Sequence, residues 1–333
     1  MSKIRLGVIG AGGIAREHAR QMIRRGDVEI VALAEPSEDS LARFAEAVYA
    51  GENLPHVYAD HTEMLAAETL DAVLIASPHT GHFQQIMDCL DAGLDVLAEK
   101  PMVCSTGEAE AVIARAAQAD RQIVVSYQRR FIAMFRYMRQ FIRSPEFGQP
   151  LFVASFLSQG WLTGQVGKWR QDPALSGGGQ LNDSGSHLVD MILWMLPDDV
   201  VEVTALIDNR DTAVDIDSAV AYRTTGGTLG TLSVVGSGPQ GVFWEDMTVT
   251  GQTGRSLFLR KDNLQTMAAH DAEMVLVDDF GQIEDSSPDD HFIDVIRGQG
   301  ENLSPPEDFL KVIRFTEACW ASAAEGGKPV RVG

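Results

Sequence analysis

The sequence predicts an α/β protein with two domains. The first is a doubly wound parallel sheet (residues 1–127), and the second is an α/β domain with a large open, mainly antiparallel sheet (residues 128–333). Three observations support this prediction. Apolar strands and helical patterns alternate up to about residue 128, which is typical of a parallel sheet covered by helices on both faces. A glycine-rich turn joins the first strand to the first helix. After residue 128, alternating apolar and polar residues indicate antiparallel strands.

The first domain keeps a regular order of strand and helix. We expect its strands at 4–10, 29–35, 71–77, 95–100 and 122–128, and its helices at 14–25, 38–50, 81–92 and 106–120. Right-handed crossovers between such strands give a doubly wound fold, which binds its ligands at the carboxyl ends of the strands.

The turn after the first strand carries a dinucleotide-binding fingerprint, Gly10-x-Gly12-x-x-Ala15, in the sequence VIGAGGIA. Gly10 permits a tight turn, Gly12 lets the backbone approach a pyrophosphate, and Ala15 permits close packing of helix on strand. Glu35 ends the second strand, where a carboxylate accepts hydrogen bonds from adenosine ribose hydroxyls and repels a 2′-phosphate. Residues 36–41 hold no arginine that could bind such a phosphate, so the pattern favours NAD over NADP.

The motif SPHTGH follows the third predicted strand. Its position at a strand end predicts that Ser77 and Pro78 lie beside the dinucleotide. His79 and His82 invite a metal or acid–base interpretation, but isolated histidines are more often packing or capping residues. We therefore expect no metal site here.

The motif AEKP follows the next strand, at the edge where ligands bind. Lys100 lies at this edge, in a chain with only six lysines. We expect a catalytic role for it, and the alternative interpretation is a surface lysine that pairs with Glu99. A sharp turn at Pro101 could use a cis peptide bond, although trans is commoner.

The second domain is predicted to combine two long helices, one buried helix and several strands. The helices are expected at 131–143, 183–196 and 304–327, and strand-like runs cover 150–158, 200–208, 217–225, 228–236 and 244–259. The buried helix follows the run GGGQLNDSGSH, and its first turns are expected to carry Asp183 and His187 on one face. A helix-capping pair is the alternative interpretation of these two residues.

Composition excludes several classes of function. The formal net charge is −20, which disfavours nucleic acid as a partner, and no apolar run is long enough to span a membrane. The N-terminus lacks a secretory signal pattern. The three cysteines are scattered without zinc-site spacing, which suits a reducing compartment. We therefore expect a cytoplasmic protein.

Taken together, the motifs resemble those of the glucose–fructose oxidoreductase / inositol dehydrogenase / MocA family. VIGAGGIA, SPHTGH, AEKPM, YQRRF, WRQDPALSGGGQLNDSGSHLVDMILWML and ACWASAAEGGKPVRV carry the resemblance over essentially the whole chain. It implies a Rossmann domain followed by an open-sheet domain, with the nicotinamide in the cleft between them. It also implies the family's Lys, Asp and His roles for Lys100, Asp183 and His187. A homodimer or homotetramer through the C-terminal sheet is expected by the same resemblance.

The resemblance and the motifs together give the candidate site residues. The cofactor ligands are expected to be Gly10, Gly12, Gly13, Ile14, Glu35, Ser77, Pro78, His82, Glu99, Lys100 and Gln128. The substrate ligands are expected to be Arg129, Trp161, Trp169, Arg170, Asn182 and Asp183, because indole faces stack on sugars while Asn, Asp and Arg bind hydroxyls. Core packing is the alternative for the tryptophans. Gln128 and Asn182 depart from the residues common in the family, which affects substrate choice.

These residues predict an NAD(P)-dependent oxidoreductase that moves hydride between nicotinamide and a secondary hydroxyl or ketone of a sugar or polyol. His187 would be the acid–base group, Asp183 would orient it or bind a hydroxyl, and Lys100 would stabilise negative charge on oxygen. A sugar acid or nucleotide sugar stays open as the substrate. Two other functions stay open, an NAD-dependent glycosidase that oxidises transiently and a non-catalytic dinucleotide-dependent sensor.

Overall fold

The computed structural model describes residues 2–51, 54–261, 263–267 and 273–333, and the chain divides into two compact units. The first consists of Met1–Gln128 and Ser286–Phe309, and the second of Arg129–Asp285 and Leu310–Gly333. The sequence-based boundary assigned all of 128–333 to one domain, whereas residues 286–309 pack with the first unit. One reason is a buried side-chain contact, in which His18 Nδ1 lies 2.8 Å from Asp289 Oδ1.

The first unit contains six strands and five helices before the chain leaves it. In chain order they are β1 (Ile4–Ile9), α1 (Gly13–Arg25), β2 (Val28–Ala34), α2 (Glu38–Tyr49), β3 (His56–Tyr58), α3 (His61–Ala67), β4 (Ala72–Ile75), α4 (His82–Asp91), β5 (Asp95–Ala98), α5 (Thr106–Ala119) and β6 (Ile123–Val125). The strands lie in the order β3-β2-β1-β4-β5-β6, and every pairing is parallel. The predicted doubly wound fold is therefore confirmed.

The helices of this unit begin at side-chain caps that the sequence supplies. Ser37 accepts a hydrogen bond from the Ser40 N–H at the start of α2, and Ser105 does the same for Glu108 at the start of α5. Such caps satisfy backbone donors that lack a partner inside the helix. Helices α1 and α4 are exceptions, since the N-cap residues Gly12 and Gly81 have no capping side chain.

The second unit is built around one large sheet. Its elements are α6 (Ala133–Ile142), β7 (Pro150–Gln159), α7 (Trp161–Gly164), α8 (Pro173–Ser176), α9 (Gly185–Met195), β8 (Val200–Asp208), β9 (Asp217–Thr224), β10 (Leu229–Val235), β11 (Phe243–Gly251), β12 (Ser256–Arg260), β13 (Asn263–Met267) and β14 (Val275–Leu276). Then α10 (Pro288–Ile296) lies in the first unit, and α11 (Pro306–Ala324) leads to β15 (Val330–Arg331).

The nine strands of the second sheet follow the order β14-β13-β12-β11-β7-β10-β9-β8-β15. All neighbours are antiparallel except β7 and β10, which run parallel, so the mainly antiparallel sheet is confirmed. Phe152, Phe156 and Trp244 are exposed, and the β7–β11 register puts them on one face of the sheet. The oligomer expected through this sheet stays a prediction.

Sequence reasoning missed the shortest elements. Strand β3 has three residues and α3 has seven, which is too short for a clear periodic pattern. The single run predicted at 244–259 is a hairpin, because the backbone turns at Gly254 with a φ of +82°. Among the described residues, no helix is both long and apolar enough to cross a bilayer.

Candidate active site

The turn between β1 and α1 has the geometry that the glycine fingerprint predicts. Gly10 has a φ of +94°, and a Cβ atom there would lie 2.8 Å from the Ala76 carbonyl oxygen. A side chain at this position is excluded by both strain and space. At Gly12 a Cβ atom would meet nothing within 4 Å, so this glycine leaves open a space that a ligand can occupy. The exposed N-terminus of α1 is suited to a phosphate group, and these residues therefore fit a dinucleotide.

Glu35 follows β2, as predicted, and its carboxylate is held by the backbone. Its Oε2 accepts a hydrogen bond from the Ala11 N–H at 2.8 Å, and its Oε1 accepts one from the Ser37 N–H at 2.9 Å. These bonds fix an acidic group beside the glycine turn, because Ala11 is part of that turn. Lone pairs remain on both oxygens for ribose hydroxyls.

His82 packs inside the first unit and does not reach its surface. The side chain is fully buried, with Nδ1 2.9 Å from the Pro101 carbonyl oxygen and Nε2 3.0 Å from the Ser77 carbonyl oxygen. Burial lowers the pKa of His82, so the ring is neutral and donates to one carbonyl at a time. The predicted direct role of His82 in cofactor binding is replaced by a structural one, since its ring links the Ser77 turn to the Pro101 turn.

Lys100 follows β5 at the same sheet edge as the glycine turn. The pairings Ile9–Ile75 and Ile75–Ala98 align the ends of β1, β4 and β5. Because neighbouring strands are spaced by about 4.8 Å, the strands before Gly10 and Lys100 lie about 10 Å apart. Lys100 is half-buried, and the Lys100–Pro101 peptide bond is cis.

Glu99 is buried, so it differs from the two predictions made for it. It is not a surface partner of Lys100, and its carboxylate is not exposed as that of a cofactor ligand would be. It is 5% exposed, and its Oε1 lies 3.0 Å from His18 Nε2. Its Oε2 accepts a hydrogen bond from the Lys100 backbone N–H at 3.1 Å. Ile14 is exposed near the start of α1, and Gln128 is half-buried in a short 3-10 helix.

In the second unit, Asp183 binds two of the predicted substrate residues, and a third packs against one of these two. Its Oδ2 accepts hydrogen bonds from Trp161 Nε1 at 2.9 Å and from Arg170 Nε at 3.0 Å. The Arg170 guanidinium carbon lies 4.4 Å from the centre of the Trp169 ring. Asp183 and Trp161 are buried. The cluster therefore combines a carboxylate, an arginine and an indole face, which are groups that bind hydroxyl-rich molecules.

The placement of Asp183 differs from the prediction. Helix α9 begins at Gly185, so Asp183 lies in the turn before it and not in the first turn of the helix. His187 is in the first turn of α9 and is half-buried. Ser184, between Asp183 and the helix, already has φ −78° and ψ −31°, and the expected placement of the Asp183 and His187 side chains on one face stays a prediction. Asn182 is buried, with Nδ2 3.4 Å from the Ser176 carbonyl oxygen.

The glycine run before Asp183 is fixed by residues that sequence reasoning missed. Asp215 accepts hydrogen bonds from the Gly179 N–H at 2.9 Å, the Leu181 N–H at 2.7 Å and Trp320 Nε1 at 3.1 Å. A Cβ atom on Gly179 would lie 2.0 Å from the Asp215 carbonyl oxygen. The glycines are therefore needed for close packing, and no local signal in the sequence connects them to Asp215.

Two further arginine–carboxylate pairs lie in the second unit, and the Arg129 side chain of one pair is partly exposed. Arg129 Nη2 binds Glu245 Oε2 on β11. Arg130 is 1% exposed, and its Nη2 lies 2.5 Å from Asp190 Oδ1 on α9. Burial lowers the pKa of Arg129 despite the charge of Glu245. Only Arg129 among these four residues was predicted as a site residue, because pairs between distant segments leave no spacing signal.

Comparison with known proteins gives the family models that this chain matches. Residues 4–127 match the model described as an oxidoreductase family with an NAD-binding Rossmann fold. Residues 135–256 match the model of the GFO/IDH/MocA C-terminal domain. The first unit therefore has an NAD-binding Rossmann fold.

Relatives and solved structures agree with these models. Inositol 2-dehydrogenase/D-chiro-inositol 3-dehydrogenase of Shouchella clausii is 29% identical over 209 residues, or 62% of this chain and 57% of that protein. Myo-inositol 2-dehydrogenase of Thermotoga maritima is 27% identical over 267 residues, or 76% of this chain and 74% of that protein. The crystal structure of the WlbA dehydrogenase from Bordetella pertussis in complex with NADH and UDP-GlcNAcA has the same fold. Its TM-score is 0.84 at 22% identity, and the match covers 100% of this chain and 98% of that chain. The chain thus spans little more than half the length of the first relative.

Proposed function

This chain belongs to the GFO/IDH/MocA oxidoreductase family, which has an NAD-binding Rossmann fold. On that premise, we propose that it is an NAD-dependent dehydrogenase or reductase of a neutral sugar or polyol. The observation that carries the proposal is the common sheet edge of the Gly10 turn and Lys100, which follow β1 and β5. A cation at the edge where the dinucleotide binds is suited to an oxygen that gains negative charge during hydride transfer.

The dinucleotide would be held by the glycine turn and by Glu35. The open space at Gly12 and the N-terminus of α1 suit the pyrophosphate. Glu35 accepts from the adenosine ribose and disfavours a 2′-phosphate, so NAD is expected to be preferred over NADP. When bound, the nicotinamide supplies the hydride acceptor or donor, and the protein supplies position, charge and proton transfer.

Three residues of the chain are proposed to transfer the proton, bind the substrate and stabilise charge. His187 takes the hydroxyl proton during oxidation and returns it during reduction, because an imidazole can both accept and donate a proton. Asp183, held by Trp161 and Arg170, accepts a hydrogen bond from a substrate hydroxyl. Lys100 stabilises the oxygen at the reacting carbon.

Charge balance supports a neutral substrate. Both predicted substrate-binding arginines already have a carboxylate partner, since Arg170 binds Asp183 and Arg129 binds Glu245. A phosphate or carboxylate on the substrate would compete with these partners for the same guanidinium groups. A substrate with hydroxyl groups and no charge needs no such exchange. We therefore favour a sugar or polyol over a sugar acid or nucleotide sugar.

Two variants test the assignment of roles. Lys100→Met and His187→Asn should each lower kcat by at least about 100-fold, since each removes a charge-stabilising or proton-transfer group. NADH affinity, measured by fluorescence titration, should stay within about threefold for His187→Asn, because His187 is assigned to the substrate and not to the dinucleotide. Retention of wild-type turnover in either variant would refute its role.

The charge argument has its own test, which uses Glu245→Gln. Removing the carboxylate leaves Arg129 without its balancing charge, so activity toward a uronic acid or sugar phosphate should rise relative to the matching neutral sugar. Glu146→Gln is the matched control, since it removes a carboxylate from an exposed ion pair in the same unit. A wild-type enzyme that already prefers the anionic sugar would contradict the neutral-substrate proposal.

A further inference from the structure

Three ionisable side chains form a buried cluster in the first unit. His18 on α1 lies between Glu99 at the end of β5 and Asp289 in the first turn of α10. Its Nε2 is 3.0 Å from Glu99 Oε1, and its Nδ1 is 2.8 Å from Asp289 Oδ1. The three residues are 3%, 5% and 0% exposed, respectively. Nothing about hydride transfer requires three buried ionisable groups, and burying them costs free energy.

Both ring nitrogens of His18 face carboxylate oxygens, so the ring can donate to both only as imidazolium. Burial opposes that charge, but hydrogen bonds to Asp289 and Glu99 outweigh it and raise the pKa of His18 to about 10. Burial alone would raise the pKa of Glu99, yet the hydrogen bond to His18 lowers it. Burial raises the pKa of Asp289. His18 thus contacts Asp289 at 2.8 Å and forms an ion pair with Glu99 at 3.0 Å.

The carboxylate of Glu99 connects this ion pair to Lys100, the lysine of the proposed reaction. One Glu99 oxygen faces His18, and the other accepts a hydrogen bond from the Lys100 backbone N–H at 3.1 Å. His18 lies on α1, the helix that begins beside the Gly12 turn. Two contacts thus connect the dinucleotide-binding helix to the backbone of Lys100.

We propose that His18 is a positioning residue, which orients Glu99 so that Lys100 is held at a fixed place relative to the dinucleotide-binding helix. Asp289 in turn fixes the His18 ring. This inference rests on the role proposed for Lys100. A side chain that holds a catalytic group in position without touching the substrate is expected to affect kcat strongly. Misplacement of the catalytic group by about 1 Å can lower the rate by about 100-fold.

The test compares His18→Gln with a matched control. Both N–H donors of glutamine are on one nitrogen and the side chain is uncharged, so it cannot replace an imidazolium that donates from two separate ring nitrogens. The alignment of Glu99 is then lost while the site keeps a polar side chain of similar size. His61→Gln is the control, because His61 Nε2 also contacts a carboxylate of the same unit, Asp88 Oδ2 at 2.8 Å. His18→Gln should lower kcat by about 10- to 100-fold, with NADH affinity within about threefold of wild type. His61→Gln should leave both unchanged.

A second readout does not depend on turnover. The rate at which pyridoxal phosphate labels the Lys100 amine, followed by mass spectrometry of the peptide, reports the local environment of that amine. The rate should change at least about threefold in His18→Gln. Labelling of the exposed Lys328 in the same sample should stay constant. Failure of wild type to oxidise any polyol would refute the proposed function, while the labelling comparison would still decide the positioning role.

Two results would overturn the inference. One is a folded His18→Gln variant with wild-type kcat and wild-type labelling of Lys100. The other is a parallel fall of NADH affinity, kcat and thermal stability, which a purely structural role would give. Where His18→Gln does not fold, Asp289→Asn keeps the His18–Glu99 contact. This variant should fold and should show a smaller decrease in kcat than the one expected for His18→Gln. An unchanged kcat with unchanged labelling of Lys100 in Asp289→Asn would also overturn the inference.

Discussion

Substitution of Asp190 by alanine should destabilise the second unit more than any surface change. Asp190 lies on α9, one turn after His187, and is 1% exposed. Both of its oxygens lie 3.1 Å from Arg130 Nε, and Oδ1 also lies 2.5 Å from Arg130 Nη2. Arg130 is equally buried. The substitution therefore removes a carboxylate that the buried Arg130 binds through Nε and Nη2.

The expected loss follows from this burial. Removing one partner of a buried ion pair typically costs about 3–5 kcal/mol, because the remaining charge keeps its desolvation penalty. For a unit of this size, such a loss lowers Tm by about 10 °C. Replacing both partners, in Arg130→Met with Asp190→Leu, should restore much of the stability, since both charges of this pair are then removed from the interior.

The assay is thermal and urea unfolding of the full chain, followed by circular dichroism. Glu146→Ala is the control, because its ion pair with Arg255 is half exposed and should contribute less than about 1 kcal/mol. We also expect kcat to fall in Asp190→Ala, since α9 carries His187. A loss below about 1 kcal/mol in Asp190→Ala, or a double variant less stable than the single one, would refute this reasoning.

Three further predictions follow from the described geometry. Gly10→Ala should weaken NADH binding at least about tenfold in a fluorescence titration, because its Cβ would lie 2.8 Å from the Ala76 oxygen at a φ of +94°; unchanged affinity would contradict this. Gly179→Ala should destabilise the second unit by about 3 kcal/mol in urea unfolding, because its Cβ would overlap the Asp215 oxygen at 2.0 Å; a neutral effect would show that the loop can shift. The stability that His18 contributes should be complete below its ordinary pKa of 6.5 and should disappear as the pH rises through about 10, because the folded protein holds that proton more tightly. His18→Gln should remove this part of the pH dependence, and an identical slope in the two proteins would exclude His18 as its source.

Local patterns accounted for most of the fold and for part of the site. The strand–turn–helix around Gly10 and the acidic end of β2 at Glu35 are each contained in a short segment, so spacing alone locates them. Helix α9 was expected for the same reason, although its start was misjudged. The turn at residues 180–184 is held by Asp215, far along the chain, and not by helix propensity.

Contacts between distant segments were beyond sequence reasoning. His18 and Asp289 are separated by 271 positions, and Arg129 meets Glu245 across 116 positions. Such pairs depend on tertiary packing, which neither hydrophobic periodicity nor motif spacing encodes. The same limit explains why residues 286–309 were assigned to the second domain, since that segment packs through contacts such as His18–Asp289 and Val125–Ser304. The structure therefore adds these two pairs to the residues that the motifs contain.

The most direct test of the proposed function is reduction of NAD⁺ and NADP⁺ by a panel of inositols, free sugars, uronic acids and sugar phosphates. The panel also includes aryl glycosides that are read for released phenol. We predict that NADH forms with at least one neutral sugar or polyol, that NADP⁺ is the poorer acceptor, and that the anionic sugars are poorer substrates. Phenol release without net NADH formation would contradict a dehydrogenase and indicate a redox-neutral glycosidase. NADH binding without turnover of any compound would indicate a sensor.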